Sequence, residues 1–199
     1  DKEGNEFEID NEYIMSPKDL CTIGFLNQIL DAGVSVLKIE GRSKGPDYVQ
    51  EVVSCYQEAV DLWQGDVPYP PEKVTEWEER MSNVYNRGFW GGYFLGKKLG
   101  EWTDTAGSKA KKEKIYLGKG RNYYDKIKVG EFELEKGTLQ IGDKIMITGP
   151  SLGAVEFEVK ELRKEYDPID LVVKGDVFSM PMDHKIRRSD KLFKVVDRT

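Results

Sequence analysis

Residues 137–160, GTLQIGDKIMITGPSLGAVEFEVK, contain the strongest fold signal in this chain. Apolar and charged side chains alternate strictly over 155–160 and nearly so over 144–148, which is the two-residue period of a strand with one buried face. Turn residues interrupt the pattern about every ten residues, as in a protein of many short strands; they are Gly137, Gly142-Asp143, Gly149-Pro150, Gly153 and Gly175-Asp176. We therefore predict that residues 113–199 form a small all-β barrel.

The period changes to that of helices on the N-terminal side of a small, polar and basic linker at 103–112. One helix is predicted from a capping Ser16 and Pro17 to Gly33, with Leu20, Ile23, Leu26 and Leu30 on its apolar face. A second runs from near Pro46 to about Gln64, and a third begins near Glu72 with Val74, Trp77, Met81 and Val84 on one side. The apolar face of the second helix is predicted to comprise Val49, Val52, Val53, Tyr56, Val60 and Trp63.

Residues 34–39, VSVLKI, read as a buried strand between the first two helices. Helix, strand and helix in this order are typical of an α/β domain built on a parallel sheet. Because 1–102 holds only one such unit, we expect the other strands to lie upstream. The chain is then the C-terminal part of a larger protein, an α/β segment at the end of a TIM-barrel-like domain followed by the barrel.

Composition limits the class of protein. Charged residues make up 33% of the chain and hydrophobic ones 39%, which predicts a globular protein without a membrane span. The two cysteines, Cys21 and Cys55, fall in helical patterns and are expected to be reduced, buried thiols of a cytoplasmic protein, not nucleophiles. A single histidine, His184, excludes a site of several histidines within this segment, and no metal site is predicted.

Lys38, Glu40 and Arg42 alternate along the end of the predicted strand, so strand geometry would point all three to one face. Such a set could clamp a carboxylate or phosphate of a substrate, with the glutamate orienting the cations. The alternative is an ion-paired layer with a purely structural role. Arg87, beside Gly88-Phe89, is a further substrate-binding candidate, although a glycine-aromatic loop also packs domain edges.

The second half offers candidates for binding RNA. Residues 1–112 hold 13 basic and 20 acidic side chains and 113–199 hold 17 and 16, so a phosphate-binding surface requires local clustering. Lys185, Arg187 and Arg188 follow His184 in a predicted polar turn, and Arg121 precedes two tyrosines that could stack on bases. A solvated loop is the alternative to such a patch.

Residues 37–42 (LKIEGR), with 16–20 (SPKDL) before them and 86–89 (NRGF) and Gly92-Tyr93 after them, resemble the collagenase-like peptidase family U32. Residues 137–145 (GTLQIGDKI) and 175–177 (GDV) resemble domain II of Tu-type elongation factors. The family resemblance implies peptidase activity, a part in oxygen-requiring or prephenate-linked hydroxylation of tRNA or rRNA bases, or a part in ubiquinone hydroxylation. It also implies an iron–sulfur cluster held by four upstream cysteines, a role that is not transferred to Cys21.

Taken together, these features favour a protein of RNA base hydroxylation whose barrel binds substrate or acts as an accessory domain. The alternatives are a collagenase-like peptidase whose barrel recruits a protein substrate, and a barrel with a structural or dimerising role. The expected partners are accordingly tRNA, rRNA or a protein substrate. Whether the full-length protein is an enzyme stays open, and this segment alone is expected to be inactive and to hold no cofactor.

Overall fold

A computed structural model describes residues 12–97 and 99–198. Its contacts divide the chain into a helical unit, Asp1–Glu40 with Glu51–Lys111, and a β unit, Gly41–Gln50 with Lys112–Thr199. The domain and linker boundaries read from the sequence stay predictions. Among the described residues, no helix combines the length and apolar character that crossing a bilayer requires.

Among its described residues, the helical unit contains two helices, most of a third whose first five residues belong to the β unit, and one short parallel pair of strands. In chain order these are β1 (Asp19–Leu20), a 3-10 turn (Ile23–Phe25), α1 (Leu26–Asp31), α2 (Pro46–Gln64), α3 (Pro71–Ser82) and β2 (Phe89–Trp90). β1 pairs with β2, so residues far apart in sequence are joined at this point. Pro71 begins α3 because its missing N–H would have no helical partner at that position anyway.

The predicted second and third helices are confirmed, but the buried face of α2 differs from the prediction. Val52, Cys55 and Ala59 are buried, whereas Val49 and Val53 are 38% and 45% exposed. The buried face is centred on Cys55 and Ala59 because these small side chains allow α3 to approach α2. At this contact the Cys55 thiol lies 3.9 Å from the Trp77 carbonyl oxygen. Trp77 and Met81, on the predicted face of α3, are fully buried.

Two other expectations for this unit are wrong. Residues 34–40 form no strand, and Val36 is 81% exposed. An extended segment becomes a strand only where a neighbour completes its hydrogen bonds, and no described strand lies beside this one. The first helix also begins later than predicted, at Leu26, because the backbone at Ser16 accepts a hydrogen bond from Thr103 instead of entering a helix.

The β unit is an antiparallel sheet, which confirms the all-β prediction for this half. Its strands are β3 (Lys112–Tyr124), β4 (Val129–Leu134), β5 (Thr138–Gln140), β6 (Lys144–Gly149), β7 (Gly153–Glu158), β8 (Leu162–Lys164), β9 (Asp167–Ile169), β10 (Leu171–Val173), β11 (Val177–Pro181) and β12 (Lys191–Asp197). Eight of them pair in the order β7-β6-β12-β3-β4-β11-β8-β9, and β5 pairs separately with β10. In this order β7 and β9 are the edges of the eight-stranded sheet.

Alternate residues of these strands make one apolar core. Phe132 of β4 and Phe178 of β11 are fully buried and stack with ring centroids 5.7 Å apart. They lie directly opposite each other in the strand register, where close side chains stabilise a sheet. Each such burial contributes roughly 1.5–3 kcal/mol, so this cluster stabilises the pairing of the strands.

Candidate functional site

Two loops of the β unit come together at one place, and the loop between β11 and β12 is the larger. The buried side chain of Asp190 fixes its shape, accepting a hydrogen bond from the backbone N–H of Arg187 at 2.8 Å. The Gly120 N–H donates to the Asp190 carbonyl oxygen at 2.7 Å, and the Ser189 N–H donates to that of Gly120 at 3.0 Å. The loop is thereby attached to strand β3 next to Arg121.

Close packing at two glycines makes this attachment specific. A Cβ atom at Gly120 would lie 2.7 Å from the carbonyl oxygen of Arg187. One at Gly149 of β6 would lie 2.0 Å from a carboxylate oxygen of Asp190. Neither distance is compatible with a side chain, so these glycines allow the loop to contact the sheet.

The turn between β3 and β4 is the second loop. The Met182 N–H donates to the Lys128 carbonyl oxygen at 2.9 Å, and the Tyr123 hydroxyl donates to the Met182 carbonyl oxygen at 3.1 Å. Tyr123 is thus half-buried with its hydroxyl occupied, whereas Tyr124 is 45% exposed. Of the two tyrosines considered for base stacking, Tyr124 is the more accessible.

These loops carry several cations of a half-chain that holds 17 basic and 16 acidic side chains. The exposed cations Arg121, Lys185, Arg187 and Arg188 take part in none of the ion pairs found in the described part of the chain. The acidic Asp190 among them is buried and bonded to the loop backbone, so it does not pair with them. We call these four side chains the basic cluster; they remain candidates for binding RNA.

Ion pairs beside the cluster are already satisfied within the protein. Lys119 pairs with Glu135 at 2.6 Å, and the hydrogen bond from Lys119 lowers the pKa of that carboxyl. Lys128 pairs with Asp125 at 3.0 Å and lowers its pKa in the same way. These lysines therefore contribute less than the basic cluster to attracting an anion.

The substrate-binding candidates of the helical pattern are arranged differently from the prediction. Lys38, Glu40 and Arg42 are all exposed, and none lies in a strand, so strand geometry does not align them. The first two belong to the helical unit and Arg42 to the β unit. Their proposed role as a substrate clamp stays a prediction.

Arg87 makes a strong contact with Asp19 of β1. Its guanidinium donates to one carboxylate oxygen at 3.1 Å, and its backbone N–H donates to the other at 2.9 Å. The ion pair joins the segment before β2 to β1, beside the parallel strand pair. Any substrate contact by Arg87 would have to compete with Asp19.

The two thiols lie in the helical unit and are not activated. Burial raises the pKa of Cys55 to about 12 and also raises that of Cys21. Both are free cysteines, and a thiol with a raised pKa is a poor nucleophile at neutral pH. Within residues 12–97 and 99–198, no group of three or more His, Cys, Asp or Glu side chains is arranged to hold a metal ion.

Comparison with known proteins assigns the family. The profile described as peptidase family U32 matches residues 1–104, slightly more than half of the chain. The chain therefore belongs to peptidase family U32, as its motifs at 37–42 and 86–89 predict.

Relatives extend beyond the matched half and carry two kinds of name. A protein named collagenase from Porphyromonas gingivalis is 49% identical over 191 residues, which is 96% of this chain and 46% of that protein. tRNA hydroxylation protein P1 of Bacillus subtilis is 31% identical over 73% of this chain and 34% of its own length. The chain thus spans about half, or less, of the curated relatives it matches.

tRNA hydroxylation protein P2 of Bacillus subtilis is a third relative. It is 38% identical over 92 residues, which cover 45% of this chain and 30% of that protein. A solved structure of the C-terminal domain of a Geobacillus thermoleovorans U32-type protein covers 40% of this chain and 91% of its own, with 11% identity and a TM-score of 0.38.

Proposed function

We propose that this chain is the C-terminal part of a family U32 protein that acts in the hydroxylation of tRNA bases, and that its β unit binds the RNA. The observation that carries the proposal is the basic cluster. Arg121 and Arg187 come from segments 66 residues apart and are held together by the hydrogen bonds between Gly120 and the loop at 187–190.

The chemistry of the cluster suits a phosphate backbone. Arginine presents several N–H donors in a planar fork that matches phosphate oxygens, and three of the four cations are arginines. The loop that carries them is fixed by Asp190, so little conformational freedom is lost when RNA binds. Two relatives are named as tRNA hydroxylation proteins, which makes tRNA the first RNA to test.

The hydroxylation step itself is assigned to the part of the protein that this chain does not include. The family implies an iron–sulfur cluster with four cysteine ligands, and the two cysteines here, Cys21 and Cys55, cannot supply them. These residues do not fit the cluster. The role of this chain is to hold and orient the RNA.

Binding is tested by titrating the chain with labelled tRNA at several salt concentrations. A Lys185/Arg187/Arg188→Ala variant should bind at least about tenfold more weakly in low salt, and its salt slope should fall by roughly 2–3 because each lost phosphate contact removes about 0.9. Lys136/Lys144/Lys174→Ala is the matched control, since it removes the same charge from exposed lysines outside both loops. Equal losses in the two variants would refute a specific interface.

The cellular role is tested by deleting the complete gene and measuring tRNA and rRNA nucleosides by mass spectrometry. Loss of a hydroxylated pyrimidine, restored by the wild-type gene and not by the triple variant, supports the proposal. Unchanged nucleosides in the deletion strain would refute it. We expect the 199-residue chain by itself to have no hydroxylase activity.

A second candidate function is peptide hydrolysis. The relative that is 49% identical is named a collagenase, which favours a full-length peptidase whose β unit recruits the protein substrate. Gelatin cleavage by the purified full-length protein, together with unchanged RNA in the deletion strain, would favour this candidate. A structural or dimerising β unit is the remaining alternative, and it predicts no salt-dependent binding of tRNA.

The proposal also includes the domain type to which each of the two units belongs. We place the helical unit at the end of a TIM-barrel-like domain of the complete protein and regard the β unit as a barrel of the elongation-factor type. The parallel pairing of β1 with β2 supports the first point, and the apolar core between the β strands supports the second. An RNA-modifying role also implies a cytoplasmic protein.

A further inference from the structure

A groove of about 510 Å³ lies in the β unit beside the basic cluster. Its lining consists of the consecutive residues 155–161, the consecutive residues 180–184, and Ile127 with Lys128. Successive side chains of a strand point to opposite faces of its sheet. A groove lined by every residue of β7 from 155 to 158 therefore follows the edge of that strand and not one of its faces.

The hydrogen bonds at the two ends of β7 establish which of its backbone groups point into the groove. The Ala154 N–H donates to the side-chain oxygen of Gln50 at 3.2 Å, away from the paired strand β6. The Val159 N–H donates to the Asp143 carbonyl oxygen at 2.9 Å, on the side of β6. Because these directions alternate along an antiparallel strand, the N–H and C=O groups of Glu156 and Glu158 point outward.

This outer edge has no strand partner in the described part of the chain. Gln50 covers only its beginning, with a side-chain amide in the place of a neighbouring peptide group. Natural proteins usually cover or disrupt such an edge, because its unpaired groups can accept another strand. An edge left open along a groove is the arrangement by which several domains bind extended peptides.

The groove also has side-chain features that select a peptide. Phe157 is half-buried and Ile127 is 68% exposed, so both offer apolar surface to a bound peptide, whereas Met180 and Met182 of the lining are buried in the core. Glu156 is paired with Lys112 at 3.1 Å, whereas Glu158 is exposed and takes part in none of the ion pairs of the described residues. An added strand would therefore meet an available carboxylate at Glu158.

We propose that the outer edge of β7 binds an extended peptide segment of a partner protein as an added strand. The peptide pairs its backbone with Glu156 and Glu158, places apolar side chains against Phe157 and Ile127, and carries a lysine or arginine opposite Glu158. Opposite charges at facing positions stabilise strand pairs. This inference does not depend on whether the basic cluster binds RNA.

Amide hydrogen exchange of the 199-residue chain, followed residue by residue by NMR, tests the proposal. The probe is acetyl-(Lys-Val)3-amide, with acetyl-(Glu-Val)3-amide as its control. In the free chain the amides of Glu156 and Glu158 should exchange about tenfold or more faster than those of Val155 and Phe157. Saturation with the lysine peptide should slow the first two by a similar factor, and the glutamate peptide should not.

Three results would overturn the proposal. One is slow exchange of Glu156 and Glu158 in the free chain at all concentrations, which would mean that the edge is already covered. Another is protection that grows with protein concentration alone, which would identify a second copy of the chain as the occupant. The third is no added protection with millimolar lysine peptide, or equal protection with both peptides.

Proline variants provide an independent check of the edge. Glu158→Pro removes an outward N–H, so it should keep the fold and abolish peptide protection at Glu156. Phe157→Pro is the matched control, because it removes an N–H that the register directs to β6 and should destabilise the β unit. A Glu158→Pro chain that remains folded and still binds the lysine peptide with unchanged affinity would contradict strand addition.

Discussion

Replacing Gly149 with alanine should disturb the basic cluster from a distance, by displacing Asp190. The new Cβ atom would lie 2.0 Å from one carboxylate oxygen of Asp190 and 2.4 Å from its Cγ atom, with Asp190 only 3% exposed. The aspartate must therefore turn away and give up its hydrogen bond to the Arg187 N–H. The loop that carries Arg187 and Arg188 would lose its fixed shape.

The free-energy cost can be estimated from that lost bond. A hydrogen bond to a charged group contributes about 1.5–3 kcal/mol, so Gly149→Ala should lower the free energy of unfolding of the β unit by about 2 kcal/mol. Asp190→Ala should cost a similar amount, because it leaves the Arg187 N–H without its acceptor. In the double variant the clash no longer exists, and we expect a coupling energy of about 2 kcal/mol instead of additive losses.

Urea unfolding of the four proteins measures these energies, and the sequence allows the two units to be followed separately. All four tryptophans, at positions 63, 77, 90 and 102, lie in the helical unit, so their fluorescence reports its unfolding. The methyl NMR signals of Ile145 and Ile147, both in the core of the β unit, report the other. A loss of 2 kcal/mol should lower the β-unit midpoint by about 1 M urea.

The reasoning would be refuted if Gly149→Ala left the β-unit midpoint unchanged, or if the two single losses simply added in the double variant. Binding of tRNA provides a second readout. If the basic cluster is the interface, Gly149→Ala should weaken binding at temperatures where the β unit is still folded. Gly142→Ala is a useful steric control, since no atom lies within 4 Å of the Cβ position there, although its φ of +88° introduces backbone strain.

Three further predictions concern the helical unit. Hydrogen bonds from Lys18 and Lys97 lower the pKa of Glu101 from 4.5 to about 2, so the stabilisation by this carboxylate should be complete above pH 5 and lost as the pH falls towards 2. Glu101→Gln should therefore reduce the fall in the free energy of unfolding between pH 5 and pH 2. An unchanged pH dependence in this variant would contradict the prediction. Trp77→Ala should cost about 3–5 kcal/mol in urea unfolding, because Trp77 is fully buried, whereas exposed Trp63→Ala should cost much less. Cys55, with a pKa of about 12, should react with a thiol reagent at pH 8 only after the protein unfolds. Reaction of the folded protein at the rate of a free cysteine would contradict this and would show that α2 and α3 separate readily.

The sequence predicts the features that depend on short-range periodicity. The alternation over 155–160 predicts β7, and the proline at 46 and the cluster at 68–71 delimit α2. The pattern fails where the outcome depends on a distant partner. Residues 34–39 have strand composition but no pairing strand within residues 12–97 and 99–198, and the face of α2 is selected by the approach of α3 through Cys55 and Ala59.

The candidate site divides in the same way. The basic residues 185, 187 and 188 are visible in sequence as a charge run, but their position next to Arg121 depends on the backbone hydrogen bonds that join Gly120 to Ser189 and Asp190. Asp190 and Gly149 were missed because a single aspartate after a basic run and a glycine before a proline indicate only a turn. Their contact is a tertiary one, and no spacing in the sequence encodes it.

The assignment of residues 41–50 to the β unit affects how this protein can be divided or recombined. The backbone passes from one unit to the other three times, after residues 40, 50 and 111. Cleavage at 111 would give a fragment without Asp47, whose carboxylate pairs with Lys114 at 2.6 Å, and without Gln50, which covers the start of β7. Transferring the complete β unit to another protein would therefore require the chain to be connected at three points and not at one. A gene fusion at a single linker would transfer it incomplete.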